Sequence, residues 1–177
     1  MKVITAKQWA PEFYNKYYDD AEILRLCEER EQVESKWTQA TLKVSGNMGR
    51  SHGCKVTSEE STAGGGRSDQ RWVRNKTSVA FIEHENRSED LSSELAKLCN
   101  DVSALKVLMT YVADRNFRTN LRRIRAQVGR AIRDHIGSFV GELLLMVGGY
   151  NEEDWMAYSF VVKSGKCNVR SIRLPKD

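Results

Sequence analysis

Two stretches constrain the fold most. Val79-Ala80-Phe81-Ile82 and Leu105-Lys106-Val107-Leu108-Met109-Thr110-Tyr111-Val112 are apolar with almost no alternation. A strand that shows one face to water alternates, whereas a strand covered on both faces does not. Between the two runs, Leu91, Leu95, Leu98 and Cys99 recur at helical spacing. Ser88 is expected to open that helix, with Glu89 and Asp90 in its first turn. A buried strand, a helix and a second buried strand make a parallel crossover, right-handed by strand chirality. The chain is therefore expected to be α/β, a mixed central β-sheet flanked by helices.

The flanking pattern extends this unit. Ile23, Leu26, Cys27, Val33 and Trp37 predict a helix over Tyr14 to Trp37, and Gln39 to Val44 reads as a short strand. Residues 45–68 are polar and rich in glycine, and are expected to form a mobile loop with one edge strand near Cys54–Thr57. Gln70–Arg74, an Asn75-Lys76 turn and Thr77–Glu85 read as a hairpin leading into the first buried run. A long helix is expected from Thr119 or Asn120 to about His135. Strands follow over Gly141–Val147, Trp155–Val162 and Val169–Leu174. A chain of 177 residues suits a single domain, 1–177, and no internal repeat is visible.

Composition narrows the function classes. The hydrophobic fraction of 40% and charged fraction of 29% exclude a disordered chain. No apolar run approaches the roughly 20 residues of a membrane span, so no membrane association is expected. The first residues show no apolar signal core, so a cytoplasmic location is expected. Cys27, Cys54, Cys99 and Cys167 lack Cys-x-x-Cys spacing, and His52, His84 and His135 complete no zinc pattern. Four reduced thiols are expected.

The chemistry concentrates at the end of the first buried run. Glu83 and Glu85 stand at i and i+2, which in a strand puts both carboxylates on one face. Like charges there repel, and a hard divalent cation would relieve them; a solvated strand end that binds nothing is the alternative. Asp69 begins the preceding strand and reaches the same end if the hairpin register fits. Three converging carboxylates would make a hydrolytic metal site. His84, between the glutamates, should point to the opposite face.

The order Asp69, Glu83-His84-Glu85, a helix, then Leu105–Val112 resembles the PD-(D/E)xK nuclease superfamily, the restriction-endonuclease-like fold. The resemblance covers about residues 69–112, and the phrase Phe81-Ile82-Glu83-His84-Glu85-Asn86 carries most of it. Ser68 replaces the motif proline and Glu85 the motif lysine, a Glu-x-Glu variant similar to that of some type II restriction enzymes. The resemblance implies metal-dependent phosphodiester hydrolysis in DNA, with RNA an open alternative. Asp69 and Glu83 would bind Mg²⁺ or Mn²⁺, together with the backbone carbonyl of His84. Glu85 would act as the base or hold a second cation. A homodimer would supply two cutting sites. A nuclease-fold protein that binds nucleic acid or a protein partner without cutting is the alternative.

A second signal is basic. Arg115, Arg118, Arg122, Arg123, Arg125, Arg130 and Arg133 crowd one segment, and Arg118, Arg122, Arg125 and Arg133 are expected to form one stripe of the predicted helix, opposite its apolar face. Arginine pairs with phosphate in a planar fork, so the stripe could follow a nucleic-acid backbone. Pairing with acidic residues elsewhere, such as those of the first helix, is the alternative. The resemblance also implies that a first-helix glutamate, Glu31 or Glu34 here, can reach the metal site, and a solvated helix face is the alternative for both. Lys106 is a further candidate for phosphate contact.

Overall fold

The computed structural model describes residues 4–29, 34–58, 69–85, 91–112, 117–149 and 155–175. Its hairpin follows from two residues. Asn75 and Lys76 both take positive φ, 51° and 63°, the conformation that a two-residue turn needs to match strand twist. The turn joins β2 (Gln70–Arg74) to β3 (Thr77–Glu85). Helix α4 (Ser92–Asn100) follows, then β4 (Leu105–Val112). Strands β3 and β4 run parallel, with Ile82 beside Val107 and Glu83 beside Leu108. The expected opening of that helix at Ser88 falls outside the described residues.

Around this unit, α5 (Phe117–Asp134) leads to β5 (Glu142–Gly149), β6 (Met156–Lys163) and β7 (Lys166–Ile172), and β1 (Lys55–Ser58) precedes β2. The seven strands of the described residues form one sheet in sequence order, parallel at β3–β4–β5 and antiparallel elsewhere. The expected mixed sheet flanked by helices is present. The strand expected near Cys54–Thr57 is β1, at the sheet edge.

The N-terminal region differs from expectation. In place of one helix over Tyr14–Trp37 there are α1 (Ala6–Tyr18), α2 (Ala21–Glu28) and α3 (Glu34–Ser51). Asp20 is the reason for the first break, because its side chain accepts from the backbone N–H of Glu22 and Ile23 and caps α2. The strand expected over Gln39–Val44 is helical as well. Ala40, Thr41, Val44, Ser45 and Met48 are buried at helical spacing, and that packing overrides the strand preference of Thr41 and Val44. Consequently residues 45–51, expected to be loop, belong to α3, and Glu31 lies outside the described residues. Gly49 of α3 lies so close to the sheet that a Cβ there would stand 2.7 Å from Trp72 and Val56.

Two cores result, one on each face of the sheet. Trp9, Phe13, Ile23, Leu26 and Met48 from α1–α3 pack on Trp72, Ile82, Val107 and Leu144. Leu95, Leu98, Leu121, Ile124 and Val128 from α4 and α5 pack on Phe81, Leu108, Leu143 and Phe160. Among the described residues no helix is long and apolar enough to cross a membrane. All four cysteines are free thiols.

Candidate active site at the end of the central hairpin

The hairpin register decides whether Asp69 can meet Glu83. Gln70 pairs with Ile82 and Arg71 with Phe81, so one step further Asp69 stands opposite Glu83. Cross-strand partners share a face of the sheet. Asp69 Oδ2 accepts a hydrogen bond of 2.7 Å from the His84 backbone N–H, which ties the start of β2 to the end of β3.

Glu83 follows Phe81 by two residues and so enters the α4–α5 side, where it is 1% exposed. Lys97 of α4 donates to Glu83 Oε2 at 3.0 Å. Glu83 Oε1 is buried with no partner among the described residues. The same ammonium lies 3.7 Å from Glu94 Oε1, one turn back on α4. Three carboxylates, Asp69, Glu83 and Glu94, thus act on a single ammonium.

The electrostatics follow from that imbalance. Burial pushes the Glu83 carboxyl up to about 8. The Lys97 hydrogen bond and charge oppose the rise, and the charges of Asp69 and Glu94 add to it. Burial also disfavours the Lys97 ammonium, but its bond to Glu83 and the surrounding acids outweigh this and hold its pKa above the ordinary lysine value. Lys97 therefore stays charged at neutral pH. Glu85 is half-buried on the same face as Glu83, beside Thr110 of β4. The Thr110 hydroxyl is buried without a partner among the described residues.

His84 turns to the other face, as alternation requires. Its ring meets Tyr111 edge-on, with centroids 5.4 Å apart. Among the described residues neither ring nitrogen has a partner, and burial lowers its pKa to about 4. It is a neutral, packed histidine.

The arginine stripe lies along α5. Arg118, Arg122 and Arg133 are exposed, and among the described residues none of them pairs with a carboxylate. Arg125 is half-buried, its guanidinium 4.3 Å from the centre of the Tyr158 ring on β6. The stripe therefore runs beside the buried face of α5, towards β6, rather than opposite it.

Lys106 requires a correction. It is fully buried, and its Nζ donates to the carbonyl oxygen of Ser103 at 2.9 Å and to that of Val140. The ammonium also stands 4.9 Å from the centre of the Phe139 ring, and burial lowers its pKa to about 8. The chain following α5 covers it, so it is not available to a phosphate. Sequence reasoning also passed over Lys97 and Glu94. Their signal was available, as a Glu and a Lys at i and i+3 on the helix that follows the Glu-x-Glu strand.

Among the described residues no three of His, Cys, Asp and Glu converge closely enough to hold a metal by themselves. No protein-family model matches the chain, and no curated protein matches it. The central domain of yeast acetyl-CoA carboxylase is a structural neighbour with a TM-score of 0.32 at 11% identity; the match covers 77% of this chain and 27% of that one.

Proposed function

We propose that the protein is a metal-dependent nuclease acting on DNA, of the type II restriction-like kind, with its site at Asp69, Glu83, Glu85 and Lys97. The observation that carries this reading is the lysine. The Glu-x-Glu strand lacks the motif ammonium, and α4 supplies one 3.0 Å from Glu83. The same chemistry is thus assembled from a different element.

The donor set fits Mg²⁺ or Mn²⁺. With all three carboxylates ionised, the cluster has one ammonium for three negative charges, and the imbalance of two matches a divalent cation. Glu83 Oε1, buried and without a partner among the described residues, is an oxygen that a cation would satisfy. Mg²⁺ is commonly held by one or two carboxylates with water and substrate phosphate completing its shell, so a three-residue cage is not required. Glu83 and Asp69 would hold the ion together with the His84 carbonyl. A bound ion would polarise the phosphate and make attacking water more acidic. Lys97, charged at neutral pH, would orient Glu83 and donate to a phosphate oxygen. Glu85, on the same face, would accept the proton of the attacking water. The free thiols suit a cytoplasmic protein.

A second reading has its own support. Lys97 already satisfies Glu83 Oε2, so the fold could bind nucleic acid with the site closed by that ion pair. Cleavage of supercoiled and single-stranded DNA with Mg²⁺ or Mn²⁺ separates the two. The nuclease reading expects cutting that Asp69→Ala, Glu83→Ala and Lys97→Met each abolish. DNA binding without cutting by the unaltered chain would overturn it in favour of the silent binding module.

A further inference from the structure

The basic character of the molecule does not stop at α5. From Met156 to Arg173 the chain holds Lys163, Lys166, Arg170 and Arg173 and no acidic residue. These four are exposed, and among the described residues none is paired with a carboxylate. They lie on the β6–β7 hairpin or just beyond it, and β7 is an edge of the sheet.

The two faces of that margin can be told apart. Tyr158, Phe160 and Cys167 pack with the α4–α5 core, whereas Ala157 and Ile172 pack with the α1–α3 core. Strand alternation therefore places Lys163, Lys166 and Arg170 on the α1–α3 side. The stripe of α5 lies on the other side. It reaches the same margin, because Arg125 covers Tyr158 and the charge of Arg133 acts on the Cys167 thiol. One sheet edge thus has unpaired cations on both sides.

We infer that the β6–β7 margin, flanked by the α5 stripe, is a seat for duplex nucleic acid, with one phosphate backbone on each side of the edge. This rests on the nucleic-acid part of the reading above and does not need the cutting step. A major groove about 12 Å wide admits a β-ribbon; β6 is bonded to β5, so the part that can enter is the edge strand β7 with its turn to β6, and cations on its two sides then meet the two backbones. A protein partner fits less well, because stable interfaces centre on aromatic and apolar anchors. The exposed large apolar residues of the margin are Met156 and Val169 alone. Lysines on an edge strand also discourage strand pairing, but that role explains neither Arg173 beyond the strand nor the arginines across the edge.

The test uses the full chain carrying Lys163→Gln, Lys166→Gln, Arg170→Gln and Arg173→Gln together. Binding to a short fluorescent duplex is read in EDTA, so that cutting plays no part, between about 50 and 200 mM salt. Each lost phosphate contact should lower the salt slope by about 0.9. The expected result is a slope smaller by about 2 to 4 and an affinity weaker by about tenfold or more. Unchanged affinity and slope would overturn the proposal, and aggregation of the variant alongside would assign the lysines to edge protection. Equal loss on single-stranded DNA would overturn the two-backbone seat, and equal competition by polyglutamate would reassign the margin to an acidic protein. Duplex binding that depends on the hairpin, in a protein that cuts nothing, would leave this inference standing and remove the nuclease.

Discussion

Protonating His84 places a charge in an apolar interior where neither ring nitrogen has a partner among the described residues. The ring titrates at about 4 in the folded chain, against 6.5 as its ordinary value. A group whose pKa is lowered by folding binds its proton more tightly when unfolded. Its contribution is therefore intact above about pH 6.5 and is lost as pH falls towards 4. Linkage between these two values gives a loss of about 2 kcal/mol by pH 5 and almost none at pH 7.5. His84→Phe keeps the edge contact with Tyr111 and removes the titration. At pH 7.5 it should be as stable as the unaltered chain or more so, since two unsatisfied nitrogens leave the core. At pH 5 it should be ahead by a further 2 kcal/mol or so. Urea unfolding of both proteins at the two pH values gives the double difference, in which every other titrating group cancels. Parallel stability curves would refute the argument. The experiment also bears on the site, because the backbone N–H of His84 holds Asp69.

Glu83 should act in the opposite sense. Its carboxyl is raised from 4.5 to about 8, so its contribution is present at low pH and is lost as pH rises between those values, at up to about 1.4 kcal/mol per pH unit. Glu83→Gln should flatten that part of the stability curve, and an unchanged slope would contradict the assignment. Lys106→Met should destabilise by about 1–3 kcal/mol by leaving two buried carbonyl acceptors unmet, and it should leave DNA affinity unchanged; weaker DNA binding by a folded variant would restore Lys106 as a contact. Gly49→Ala should cost about 1–3 kcal/mol because its methyl meets Trp72 and Val56 at 2.7 Å. Thermal unfolding reads this directly, and an unshifted midpoint would show that the helix can move off the sheet.

What could be read from the sequence was what is decided locally. The runs Val79–Ile82 and Leu105–Val112 showed their burial in the absence of alternation, and Asn75-Lys76 announced its turn. Strands β2, β3 and β4 occupy the expected residues for that reason. The helices of the first third were less legible. Asp20 is a local capping signal that the apolar spacing across it obscures, whereas the strand preference of Thr41 and Val44 gives way only to packing against the sheet. The site divides in the same way. That Glu83 and Glu85 share a face follows from alternation alone. That Asp69 stands opposite Glu83 depends on the register of the hairpin. The Glu94–Lys97 spacing marks a candidate ammonium, but that it meets Glu83 depends on where α4 packs on the sheet. Lys106 failed as a phosphate contact for a related reason, since a lysine in a buried strand can be satisfied by carbonyls that arrive from a segment 34 residues later.

The topology also brings the carboxylates and the first arginines of α5 to the same side and end of the sheet. Strands β3 and β4 are parallel and end together, with Glu85 beside Thr110. Ligands in open α/β sheets gather at the carboxyl ends of such strands, where the connecting segments diverge. Asp69 arrives at this end because β2 runs antiparallel to β3. Helix α5 begins after β4 leaves it, which puts Arg118 and Arg122 in the opening turns on the same side as α4. From β3 to β6 is three strand spacings, about 14 Å. A nucleic-acid backbone that crosses from the carboxylates to the stripe can therefore remain on one face of the sheet. Lys106, near the start of β4, belongs to the far end of the sheet, where β6 runs on to Lys163, and its burial there removes it from any surface that reaches the acidic cluster.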